Sequence, residues 1–130
     1  MDSLPTVEYN DQTPYDTLKV ELSVTRYQLS CIMSGALDGC TFWADDAAHV
    51  GPRRGEYLSD HVALGGAIRI HVFEDVQTGW HVLTREKILD GLAQMVRDEG
   101  HTPEWLAEQG DMYDNMRALQ YMLFGEHIYD

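Results

Sequence analysis

The side chains best suited to chemistry in this sequence are six histidines and two cysteines. No two histidines stand at a metal-binding spacing beside a Cys or Glu, although His71 and His81 are expected to be neighbours across a hairpin. Cys31 and Cys40 lie among apolar or small residues, which favours buried free thiols. There is no Gly-x-Ser-x-Gly elbow, phosphate-binding loop or dinucleotide fingerprint. We therefore predict no catalytic residue, no metal, no cofactor and no enzymatic activity.

Acidity is the strongest global feature, with 22 acidic against 9 basic residues and a net charge of −13. Such a field repels nucleic acid, so direct DNA or RNA binding is not expected. After Arg97 the acids are opposed by a single base, Arg117. Carboxylates on rigid helices can occupy a cationic groove on a protein. The residues predicted to bind a partner in this way are Asp98, Glu99, Glu104, Glu108, Asp111 and Asp114.

A second set of side chains suggests a small-ligand pocket instead. It combines cations, aromatic rings and an imidazole, which together could hold a nucleotide signal. The predicted lining residues are Trp43, Arg53, Arg54, Tyr57 and His71.

The elements that must position these groups are read from hydrophobic periodicity. Leu83–Gly100 is the clearest amphipathic helix, with Thr84 as N-cap and Gly100 as its end, and the chain is interpreted as organised around it. Further helices are predicted at Thr25–Leu37, Pro103–Glu108 and from Asp111 to Phe124. The predicted strands are Leu18–Val24, Cys40–Ala44, Ala67–Glu74 and Trp80–Leu83, the last two forming a hairpin.

These elements predict a single α+β domain over residues 18–130, in which amphipathic helices pack on a small, mostly antiparallel sheet. Residues 1–17, which carry four acids and no Lys or Arg, are predicted to be a flexible arm. Asp45–Leu64 shows no clear period and is predicted to be a long irregular loop.

The chain resembles a group of small proteins carried by bacteriophages and other mobile elements, mostly without assigned activity. The resemblance rests on a Trp-containing stretch before a glycine-flanked hairpin, a Leu-Thr…Leu…Gly-Leu helix, and a Leu-Gln…Phe-Gly-Glu-x-x-Tyr ending. It is strongest at Leu83–Leu92 and at Leu119, Gln120, Phe124, Gly125, Glu126 and Tyr129. It departs in the acidic arm and in the loop with Arg53 and Arg54. The resemblance implies genetic context and fold more than chemistry.

Three functional hypotheses follow. The first is a phage- or mobile-element-encoded, non-enzymatic inhibitor that binds a basic surface of a host defence complex, such as a CRISPR effector or another defence nuclease, by mimicking nucleic acid. The second is a protein that binds or sequesters a nucleotide signal. The third is a homodimeric regulatory or structural protein. Because no apolar run has membrane-spanning length and no signal peptide is recognised, a cytoplasmic location in a bacterial host is expected.

Overall fold

The computed structural model describes residues 12, 14–17 and 20–130. These residues form five α-helices, one short 3₁₀ helix and one three-stranded antiparallel sheet, which confirms the predicted α+β class. The elements in chain order are α1 (Arg26–Gly39), the 3₁₀ helix (Cys40–Phe42), β1 (Ala44–Val50), α2 (Leu58–Ala63), β2 (Ala67–Val72), β3 (Gly79–Leu83), α3 (Arg85–Glu99), α4 (Pro103–Glu108) and α5 (Met112–Phe124).

Helix ends follow the capping residues predicted from the sequence. The hydroxyls of Thr25 and Thr84 each accept a hydrogen bond from the backbone N–H three residues later. Asp111 forms a capping box with Asp114 at the start of α5. Gly100 and Gly125 end α3 and α5 with φ of 74° and 75°, a conformation that side chains with a Cβ rarely adopt. Local capping chemistry therefore sets the limits of the long helices.

The predicted hairpin is confirmed as β2 and β3, and β1 pairs antiparallel with the other side of β2. Alternation along β2 directs Ile68, Ile70 and Val72 into the core, where all three are fully buried. The opposite face carries Arg69, which lies over the Trp80 ring with 4.6 Å between the guanidinium carbon and the ring centroid.

Two predictions for the region between α1 and β2 were wrong. Cys40–Ala44 is not a strand, since Cys40–Phe42 forms a 3₁₀ turn, and β1 begins only at Ala44. Asp45–Leu64 is not an irregular loop, because it contains most of β1 and all of α2. β1 lies at an edge of the sheet and most of it stays exposed or half-buried, so its sequence shows no apolar alternation. The six residues of α2 are too few to show a helical period.

The first predicted strand is also wrong where it can be compared. Leu18 and Lys19 lie outside the described residues, and residues 20–24 form no strand. Val20 and Leu22 are 72% and 53% exposed. The alternation gives this segment an apolar face, but no strand in the described part of the chain pairs with it. The segment lies beside α3 instead. The predicted arm falls mostly outside the described residues; residues 12 and 14–17 are exposed and in neither helix nor strand.

The centre of the helical layer is α5, and not the helix at Leu83–Gly100 favoured by the sequence. Eight of its 13 residues are buried. It contacts α1 on one side and α3 on the other. Gly35 and Gly39 of α1 lie against Asn115 and Met112, in reverse order along α5. The same reversal relates α3 to α5, since Gly91 meets Met122 and Glu99 meets Arg117. α1 and α3 therefore run in the same direction, and their N-termini lie at the same end of the helical layer.

None of the helices in the described part of the chain combines the length and the apolar character needed to cross a bilayer.

Candidate functional site

Several of the positions that carry the resemblance serve the packing of the fold. A Cβ added at Gly91 would lie 2.3 Å from the Met122 Cα, so glycine is needed where α3 crosses α5. The fully buried Gln120 accepts hydrogen bonds from the backbone N–H groups of Ile128 and Tyr129 through its Oε1. The Tyr129 hydroxyl donates to the carbonyl of Asp75 in the hairpin turn. Gly91, Gln120 and Tyr129 therefore hold the fold together, and the candidate site is built from other residues.

The acidic residues predicted to bind a partner are largely engaged within the protein. Asp114 lies 2.7 Å from the Arg117 guanidinium, and Glu99 lies 3.2 Å from Arg117 Nε in an ion pair whose angle is too poor for a hydrogen bond. Asp98 accepts from Gln94 at 2.7 Å, and Asp111 caps α5. These four carboxylates therefore serve the fold as well as the surface charge.

The pKa shifts show where these carboxylates act. Burial, followed by the nearby Glu99 and Asp98, raises the pKa of Tyr121 to about 12. The N–H of Asp114 lowers the pKa of Asp111 because it stabilises the charged cap. Hydrogen bonding with Cys31 is the main cause that raises the pKa of Tyr27 on α1, and the charge of Glu108 makes the smallest contribution.

Helix α4, which carries Glu108, packs against α1. Asp98, Glu104, Glu108 and Asp111 are exposed, whereas Glu99 and Asp114 are half-buried.

The predicted pocket of Trp43, Arg53, Arg54, Tyr57 and His71 is not assembled as one site. Trp43 is fully buried and stacks on Tyr129, with 5.5 Å between ring centroids. His71 lies 2.6 Å from Asp45 and contacts Trp80. Arg53 and Tyr57 share a cavity of about 230 Å³, while Arg54 lines a different one.

His61, His71 and His81 form contacts within the fold. His61 accepts the backbone N–H of Arg54 at Nδ1 and faces the carbonyl of Ala67 at Nε2, so its ring is the neutral Nε2–H tautomer. His71 pairs with Trp80 in the sheet register and His81 with Ile70, which puts the two imidazoles on opposite faces of the hairpin. Among the described residues, no group of three or more His, Cys, Asp or Glu side chains could hold a metal ion.

The strongest candidate site is a cavity of about 380 Å³ into which three of the nine basic residues converge. They are Arg26, Arg54 and Arg85, joined by the Gly65–Gly66 turn. None of the described residues that line this cavity is acidic. In a chain of charge −13, this arrangement is a local reversal of the overall sign. The cavity can therefore hold an anion.

Chain direction explains the convergence. Arg26 and Arg85 are the first residues of α1 and α3, the two helices whose N-termini lie at the same end. Free backbone N–H groups at these ends add positive potential. Arg54 is fixed from a third direction, since its guanidinium donates to the carbonyl of Leu64 at 2.8 Å and its backbone N–H donates to His61.

Arg26 and Arg85 have unused hydrogen-bonding capacity. Neither forms an ion pair or a side-chain hydrogen bond within the described part of the chain. A cation at a helix N-terminus is electrostatically unfavourable, because the helix dipole is positive there. Both helices nevertheless begin with Thr-Arg. This repeated, locally unfavourable pair was the signal in the sequence that could have identified the site.

Comparison with known proteins adds no family to this picture. No protein-family model matches the chain, and no solved structure matches it.

Proposed function

We propose that this protein binds a small organic anion in the arginine-lined cavity without transforming it. The observation that supports the proposal is that Arg26, Arg54 and Arg85 line one cavity, two of them without an ion pair or side-chain hydrogen bond among the described residues. The proposal assigns the small-ligand function to a different pocket from the one inferred from the sequence. Arg54 is the only residue common to both.

The chemistry of the lining favours binding over catalysis. The Thr25 hydroxyl accepts a hydrogen bond from the Gln28 N–H as an N-cap, and no His, Cys, Asp or Glu of the described ranges lines the cavity. The lining thus offers donors and positive charge but no general base. Arginines bind phosphate and carboxylate groups through paired N–H donors.

The net charge of the protein sharpens the choice of ligand. At physiological ionic strength the Debye screening length is about 8 Å. A small anion that enters the cavity meets the three arginines at contact distance. A long polyanion would also lie along the acidic remainder of the surface, which opposes binding. Capture of a small anion therefore fits the −13 charge better than capture of nucleic acid.

Calorimetric titration with inorganic pyrophosphate, ethyl phosphate and AMP tests this proposal. We expect at least one of these probes to bind, and Arg26→Ala and Arg85→Ala each to weaken its affinity by about tenfold or more. Arg69→Ala is the matched control, because Arg69 lies over Trp80 on the sheet and outside the cavity. Binding that survives both cavity variants, or the absence of binding by all three probes, would overturn the proposal.

The inhibitor hypothesis remains a second candidate, supported by the exposure of four of the six predicted carboxylates. In this proposal Asp98, Glu104 and Glu108 would contact the basic surface of a host defence complex. Asp111 and Asp114 are poor choices for charge reversal, since they cap α5 and hold Arg117.

The matched test reverses Glu104 and Glu108 to Lys and compares this variant with Asp38→Lys/Glu126→Lys, which changes the charge equally at exposed positions outside α4. In a pull-down from bacterial lysate at low and high salt, the inhibitor hypothesis requires loss of a basic partner only in the first variant. Equal capture by both variants would contradict it. The homodimer and the cytoplasmic location stay predictions.

A further inference from the structure

A second cavity of about 270 Å³ adjoins the arginine-lined cavity. Val24 and Leu89 line both, and the two cavities follow one another along α3, the first from Arg85 to Leu89 and the second from Leu89 to Arg97. Together they form a trough between residues 20–26 and α3. The remaining lining of the second cavity is mainly aliphatic: Val20, Leu22, Ser23, Leu92, Ala93, Val96, Arg97 and Pro103.

The trough is strongly asymmetric in chemistry. Both parts have aliphatic lining, but one carries three arginines, whereas in the other Arg97 is the only charged residue among the described residues. No described Phe, Tyr, Trp or His lines either part. Nucleobases are commonly held by stacking on such rings. An aliphatic lining instead suits an alkyl chain, which gains affinity from removal of apolar surface from water.

We propose that the ligand is an anion with an alkyl chain, its head on Arg26, Arg54 and Arg85 and its chain along residues 20–24 and α3. This inference rests on the proposed anion-binding function and names the ligand class. Val20, Leu22 and Leu89 are 72%, 53% and 43% exposed, so the chain would cover apolar surface that otherwise faces water. The charge at one end and the aliphatic lining at the other set the orientation of the ligand.

A chain-length series of phosphate monoesters tests the inference. Ethyl, butyl, hexyl and octyl phosphate are titrated below their micelle concentrations by calorimetry. Each methylene buried in the trough should tighten binding by about fourfold, until the chain reaches the end of the trough. If ethyl phosphate binds and the longer esters bind no more tightly, the alkyl inference fails while the anion site stands. If no ester binds while pyrophosphate or AMP does, the alkyl inference also fails and the anion site stands; if no ester, pyrophosphate or AMP binds, both fail.

A carboxylate placed in the apolar part provides the second arm. Ala93→Glu introduces it at an exposed position of α3 that lines this part, and should reduce octyl phosphate affinity to near that of ethyl phosphate. Gln109→Glu is the control, since it adds the same charge at an exposed position outside the trough. Leu22→Ser, outside any helix or strand, repeats the test if Ala93→Glu does not fold. An unchanged chain-length dependence in a folded Ala93→Glu or Leu22→Ser variant would overturn the inference.

Flotation with phosphatidylglycerol vesicles separates two sources of such a ligand. Co-flotation that requires Arg26 and Arg85 assigns a bilayer lipid. Binding of octyl phosphate without flotation assigns a free amphiphile. In either case the ligand is an anion with an alkyl chain, and co-flotation of the wild type and of the arginine variants alike would contradict use of this site.

Discussion

The two ends of α3 carry opposite charge and use it differently. At its C-terminal end, Glu99 and Asp114 form ion pairs with Arg117, and Asp98 accepts a hydrogen bond from Gln94. At its N-terminal end, Arg85 meets Arg26 and Arg54 around an open cavity. Fifteen residues of helix put about 21 Å between these ends. The carboxylates at the acidic end are engaged in contacts within the protein, whereas Arg26 and Arg85 at the basic end form no ion pair or side-chain hydrogen bond among the described residues.

This difference teaches that the rarer charge is the more informative one here. Acidic residues are abundant, and those near the end of α3 serve as caps and ion-pair partners. Basic residues number nine, and three of them line one cavity. Charge counted along the sequence pointed to the acidic end, while unused hydrogen-bonding capacity points to the basic end.

The largest effect on stability is expected where α3 packs most closely against α5. Gly91→Ala forces a methyl group against the backbone of α5 and should lower the free energy of unfolding by about 3 kcal/mol. Gly35→Ala is the matched control on α1. Its added methyl group meets the side-chain amide of Asn115, which can move, so the cost should stay below about 1 kcal/mol. Urea unfolding of both variants measures the difference, and equal losses would mean that α3 and α5 do not approach as closely as described.

A smaller difference in unfolding free energy is expected between variants at the two ends of α3. Arg117→Ala leaves Glu99 and Asp114 half-buried without their cation, and should cost about 2 kcal/mol in unfolding free energy. Arg85→Ala removes a cation without internal partners and should change the unfolding free energy by less than about 0.5 kcal/mol. The same urea experiment applies. A comparable loss for Arg85→Ala would show that its charge supports the fold, which would break the comparison.

The smallest effect concerns the pH dependence of the acidic end. The pKa of Asp111 is lower in the folded protein, so its charged cap stabilises the fold above its unfolded pKa, and this contribution is lost as pH falls through the folded value. Asp111→Asn keeps an oxygen acceptor but cannot titrate. The stability difference between wild type and Asp111→Asn should therefore shift in favour of the variant between about pH 5 and pH 2. Thermal unfolding across this range measures it, and a constant difference would exclude a role for the Asp111 charge.

Much of the helical part of the fold was predictable because its information is local. Thr25, Thr84 and Asp111 cap the helices that they were predicted to cap, and Gly100 and Gly125 end theirs. The edge strand β1 and the short helix α2 were missed because they lack a regular apolar pattern. Residues 20–24 had the pattern of a strand but no neighbour to pair with. Of the residues in the candidate site, only Arg54 was predicted from the sequence to line a ligand pocket.

The sequence by itself determined the α+β class, the capped helices, the hairpin and the excess of negative charge, since each follows from neighbouring residues or from composition. Only the tertiary structure decided which charges are neutralised and which remain available. Arg26 and Arg85 are 59 residues apart in the chain and meet because both helices run antiparallel to α5. Contacts between distant segments depend on how helices pack, and capping and periodicity do not encode that packing.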